Sequence, residues 1–100
     1  MVRLTVQWTE RALAQLQEIG AYIALEDPVA AKLIIERAFD RADRLAEFPG
    51  IGRKIPEFPT FPHRELVVPP CRLIYRVEGR KAWILFATRS ERLLRPSHLI

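Results

Sequence analysis

Cysteine is nearly missing from this chain: Cys71 is the only one in 100 residues, so neither an internal disulfide nor a multi-cysteine zinc site can form. No apolar run approaches the roughly 18 residues that span a bilayer, which excludes a transmembrane helix. Met1–Trp8 lacks a long apolar stretch and a small-residue cleavage site, and does not read as a secretory signal. There is no P-loop, no GxGxxG and no metal-ligand spacing. The expectation is a cytoplasmic protein without metal or cofactor. Aspartate is absent from the second half. Residues 1–48 carry 6 Lys+Arg against 8 Asp+Glu, a net −2, whereas residues 49–100 carry 10 against 4, a net +6. A half so basic suits an acidic partner, either nucleic acid or an acidic protein segment; an ordinary arginine-rich surface is the plain alternative.

What is present describes one domain over residues 1–100. With 49% hydrophobic and 28% charged residues, the chain can build one core and is too short for two. Val2, Leu4, Val6 and Trp8 alternate with polar residues and predict a half-buried strand. Thr9 stands where a helix N-cap belongs, and Leu13, Leu16, Ile19 and Ile23 give the first helix one apolar stripe. Asp27-Pro28 caps and opens a second helix, which carries Ala31, Ile34, Ile35, Ala38, Ala42 and Leu45 on one face and ends at Pro49-Gly50. Arg37, Arg41 and Arg44 read as its solvated face.

Six of the eight prolines lie between residues 49 and 70, so the connector from Pro49 to Pro62 is stiff and extended. Three strand-like runs follow. His63–Val68 ends at Pro69-Pro70, and Cys71–Val77 alternates with Arg72, Ile74 and Arg76 on one face. Ala82–Ala87 is apolar throughout, as in a strand covered on both sides. Glu78-Gly79-Arg80 forms a tight hairpin. Trp83 and Phe86 are expected to pack the sheet against the helices. The tail beyond Pro96 is expected to be poorly ordered, with few backbone hydrogen bonds. The fold class is α+β, in the order β-α-α-β-β-β, with a helical hairpin on a mostly antiparallel four-stranded sheet.

At the level of motifs the chain resembles the RelE/ParE superfamily of toxins from bacterial type II toxin–antitoxin systems. The resemblance runs through Trp8-Thr9, Ala12 and Leu16, Pro28 and Ala31, and Leu45 with Phe48-Pro49-Gly50-Ile51-Gly52-Arg53. It continues through Arg64-Glu65-Leu66, Arg72-Leu73-Ile74-Tyr75-Arg76-Val77 and Arg89-Ser90-Glu91-Arg92-Leu93-Leu94. It implies the same fold, a cognate antitoxin as partner, and operator DNA reached only through that antitoxin. The pattern from Gly52-Arg53 to Ile74-Tyr75-Arg76 is closer to ParE-like members, which inhibit DNA gyrase, than to RelE-like members, which cleave mRNA on the ribosome. A third possibility is a degenerate toxin that acts only with its antitoxin on operator DNA.

The resemblance also assigns candidate residues. A RelE-like nuclease would use Arg72 and Arg92 as cations at the developing phosphorane charge and His98 for acid–base work. A gyrase-binding toxin would present Arg64, Arg76, Arg89 and Arg95 to its target, with Arg89, Arg92 and Arg95 forming one cationic strip. Arg72 has a plainer reading as the partner of Glu65 or Glu78. His63 reads as structural and Cys71 as a small core residue.

Overall fold

The computed structural model describes residues 3–100, so Val2 of the expected first strand lies outside the described residues. Strand β1 is Thr5–Trp8, followed by helices α1, Glu10–Ala24, and α2, Pro28–Asp43. Strands β2, Arg53–Lys54, β3, Arg64–Val68, β4, Cys71–Glu78, and β5, Lys81–Arg89, complete a five-stranded sheet ordered β1-β5-β4-β3-β2. β1 runs parallel to β5 and every other pair is antiparallel. The α+β class and the element order hold, with one strand more than the sequence predicts. β2 escaped because two exposed charged residues carry no periodicity.

Local chemistry sets the helix ends. The Thr9 hydroxyl accepts from the Ala12 amide at 3.1 Å, and the Asp27 carboxylate accepts from the Ala30 amide at 3.0 Å. Pro28 then opens α2 with the one residue whose missing N–H costs nothing there. The fully buried line of α1 is Ala12, Leu16 and Gly20, which shares Leu16 with the predicted stripe and leaves Leu13, Ile19 and Ile23 half-buried. A Cβ on Gly20 would stand 2.9 Å from Ile35 Cδ1. Gly79 takes φ 59° at the first position of the two-residue β4–β5 turn, where the twist of a hairpin favours glycine.

A bulge on β5 decides which side chains meet the helices. Ile74 pairs with Phe86 but Tyr75 pairs with Ile84, leaving Leu85 unpaired and reversing the alternation beyond it. Ala82, Ile84 and Ala87 therefore face the helices with Leu66, Val68, Leu73 and Tyr75. Phe86 joins Ile55, Ile74, Leu94 and Leu99 in a second core on the far face. This corrects the expected packing role of the rings: Phe86, and Trp83 by alternation, point away from the helices. Trp8 supplies the ring on the helical side, 4.9 Å from Phe39. The far face is covered by the proline-rich connector, with Phe58 and Phe61, and by the tail.

Candidate functional site

The far face of the sheet gathers a chain of alternating charges. Arg53 lies opposite Glu65 on the β2–β3 ladder, and Arg72 lies opposite Val67 on β4, one diagonal step from Glu65. Arg53 Nη2 stands 2.9 Å from Glu65 Oε2, and Arg72 Nη2 donates to Glu65 Oε1 at 2.6 Å. Glu57 reaches in from the connector and takes Arg72 Nη1 and Nη2 at 2.9 and 2.7 Å. Arg72 completes its set with Nε to Glu65 at 3.2 Å and Nη1 to the Arg92 carbonyl at 3.1 Å. A guanidinium has five N–H groups, and here five hydrogen bonds receive them.

Burial makes this arrangement consequential. The Glu65 side chain is fully buried and that of Arg72 is 6% exposed. Hydrogen bonds from Arg72 overcome the cost of burial and, with the Leu94 amide, hold the Glu57 carboxyl down at about 2. The same bonds push the Arg72 guanidinium above its ordinary value. Beside them opens a cleft of about 360 Å³ between the connector, at Pro56 and Glu57, and the segment carrying Ser90, Arg92 and Leu93.

The tail is built into the structure. His98 stacks on Phe86 with centroids 4.5 Å apart and planes 11° apart, and its Nδ1 accepts from the Arg95 amide at 3.0 Å. Burial first, then the Arg92, Arg95 and Arg11 charges, push the His98 pKa below its ordinary value, so the ring is neutral near pH 7. Arg11 holds the segment from α1. It donates to the Leu85 carbonyl at the bulge and, through Nη2, to the His98 and Ile100 carbonyls at 3.1 and 2.8 Å. His63 Nε2 donates to the Leu99 carbonyl at 2.8 Å. The expectation of a poorly bonded tail is thus corrected.

The nuclease candidates share one face, with the Arg92 guanidinium 5.9 Å from the Phe86 centroid. The gyrase candidates are dispersed. Arg64, on the helical side by register, donates to the Gly52 carbonyl at 2.9 Å. Arg76, on the far face, pairs with Glu78 at 2.8 Å. Arg89 lies 4.6 Å over the Tyr22 ring of α1 and lines a cleft together with Arg92, against Gln15, Glu18 and Ile19 of that helix. Arg95 is exposed. Cys71 is buried, and burial raises its thiol pKa. Sequence reasoning gave Arg11 no role and held Glu57, with Pro56, only as part of the ParE-like pattern that runs from Gly52-Arg53 to Ile74-Tyr75-Arg76. Arg11 carried a signal of its own, since a cation in the first turn of a helix opposes the helix dipole and must find its partners elsewhere. Among the described residues no three His, Cys, Asp or Glu side chains gather as metal ligands would. No helix among them is long and apolar enough to cross a membrane.

The family described as "ParE toxin of type II toxin-antitoxin system, parDE" matches residues 6–92. The chain belongs to the ParE toxin family. This toxin is 40% identical over 89 residues to toxin RelE2 of Caulobacter vibrioides, covering 88% of its own length and 97% of that relative. It is 49% identical over 53 residues to Y4kP of Sinorhizobium fredii, a protein named as a toxin, of which the match spans 55%. Its fold is similar to a chain of the chromosomal ParDE system of P. aeruginosa, with TM-score 0.76 at 23% identity over 89% of this chain and 98% of that one. The RelBE2 complex of Mycobacterium tuberculosis contains a similar fold, with TM-score 0.59 at 21% identity, covering 92% and 97% of the two chains. Membership of this family of type II toxin–antitoxin toxins implies a cognate antitoxin.

The two histidines give this toxin a testable pH dependence. Burial is the main cause lowering the His63 pKa, with Arg76 adding to it, and His98 shifts the same way. Stability from a depressed histidine is complete above the unfolded value of about 6.5 and is lost as pH falls through the folded one. Urea unfolding from pH 7.5 to 5 should therefore show stability falling below pH 6.5. The His63→Gln/His98→Ala double variant should flatten that slope.

Proposed function

We propose that this toxin inhibits DNA gyrase in the ParE-like manner, trapping the cleaved-DNA state by binding and performing no chemistry of its own. One observation carries the reading: all five Arg72 N–H groups are bonded within the protein, leaving none for a scissile phosphate. Metal-free RNA cleavage would need that cation, together with a protonated acid for the leaving oxygen. His98, neutral near pH 7, is poorly suited to the second task. Target contact then falls to the exposed Arg92 and Arg95, with Arg89 beside Arg92 and with Arg64 and Arg76 elsewhere on the sheet.

A second reading, ribosome-dependent mRNA cleavage by Arg72, Arg92 and His98, is favoured by the gathering of Arg92, Arg95 and Arg11 around His98. In either case the antitoxin is expected to wrap the helical hairpin and the sheet with its C-terminal segment. The groove between α1 and α2, about 510 Å³ and lined by Gly20, Ala21, Ala24, Ala31 and Ile35, suits the apolar face of a helix. Acidic residues on that segment would complement the basic half of the toxin.

His98→Ala separates the readings. Loss of a general acid or base costs about 10²–10⁴ in rate, so a nuclease would stop cutting translated mRNA. A gyrase inhibitor would stay toxic, induce the DNA-damage response and filamentation, and block supercoiling by purified gyrase. We expect the second set of results. Codon-specific cuts that vanish in His98→Ala would reverse the conclusion.

A further inference from the structure

The segment from Glu91 to Arg95 belongs to no helix or strand, yet it carries Arg92. Its backbone has few ties. The Arg92 amide bonds only to the nearby Arg89 carbonyl, and the Arg95 amide bonds to His98 three residues on. The two bonds that fasten it to the sheet and connector are the Arg92 carbonyl to Arg72 and the Leu94 amide to Glu57. Both end in the same clamp, and between them Leu93 points outward, 77% exposed.

We infer that Glu57 is a positioning residue for the toxic surface: it grips Arg72 with both carboxylate oxygens and the Leu94 amide with one, fixing residues 92–94 and hence where Arg92 stands. The inference rests on the reading that Arg92 meets the target. A carboxylate is required because three donors converge on two oxygens, with Arg72 Nη1 and the Leu94 amide both on Oε2 and Arg72 Nη2 on Oε1. A glutamine would turn an NH₂ donor toward one of them. An aspartate is a methylene too short to hold both. Glu65 cannot substitute, since its oxygens already serve Arg53 and Arg72. It does keep Arg72 paired when Glu57 is changed.

The test is Glu57→Gln in the full chain, with Glu57→Asp as the variant that retains the charge should Glu57→Gln fail to fold. Exchange of the Leu94 amide should quicken by about tenfold or more, while the Leu73 and Phe86 amides of β4 and β5 keep their wild-type rates. Growth arrest on induction should weaken about tenfold. In an Arg92→Ala background, whose altered side chain is not part of the clamp, the same change should add nothing, as coupled residues require. An unchanged Leu94 exchange rate, or losses that add independently in the double variant, would overturn the inference. Wild-type protein that arrests growth but leaves purified gyrase untouched would instead overturn the gyrase reading. Exchange and the growth-arrest cycle would still decide the role of Glu57.

Discussion

Replacing Arg72 with alanine is expected to cost about 3–5 kcal/mol of unfolding free energy, because it strands two carboxylates that are fully or mostly buried. Urea unfolding at pH 7 measures it. The decisive comparison is a variant that also replaces Glu57 and Glu65 with leucine. Removing an ion cluster together with its partners costs far less than breaking it, so the triple variant should recover most of the loss. Equal losses in the two variants would mean that Arg72 acts by packing alone. Acid adds a second check. The Glu57 carboxyl, lowered from 4.5 to about 2, contributes stability that is present above 4.5 and lost as pH falls toward 2. That shift corresponds to about 3 kcal/mol. The advantage of the wild type over Arg72→Ala should shrink across this window.

Deleting residues 97–100 is expected to destabilise the protein by about 2–5 kcal/mol, the range for emptying a buried leucine site. Leu99 is 4% exposed in the second core, and its carbonyl receives His63. Removing the segment opens that site, uncovers Phe86 beneath His98 and leaves Arg11 without two acceptors. Thermal unfolding of the truncated chain against the full one checks this. An unchanged midpoint would restore the sequence-based expectation of a loosely held tail.

Legibility along the chain divides by how far apart the interacting groups lie. Thr9 and Asp27 announced both helices because an N-cap bonds an amide three residues away. Alternation placed Arg72, Ile74 and Arg76 together because the side-chain period of a strand is intrinsic to its backbone. The gathering of Arg72, Arg92 and His98 on one face was legible through the family motif. Of the partners of that face, Glu65 was legible as a neighbour of Arg72 across the strands, and the others were not. Nothing local joins Glu57 to Arg72, fifteen residues on, or Arg11 to a tail nearly ninety residues away.

The sequence by itself therefore determined two capped helices, the alternation of β3 and β4, the glycine of the hairpin turn and the basic second half. Each follows from dihedral preference, periodicity or charge within a few residues. Only the tertiary structure decided that the bulge at Leu85 turns Phe86 away from the helices, that β1 pairs in parallel with β5, and that Glu57 joins Glu65 on Arg72 and leaves it no free N–H. These depend on which distant segments share a face of the sheet. An arginine on a strand is a free cation or a neutralised one according to the carboxylates that the rest of the chain brings beside it, and its own neighbours in sequence carry no record of them.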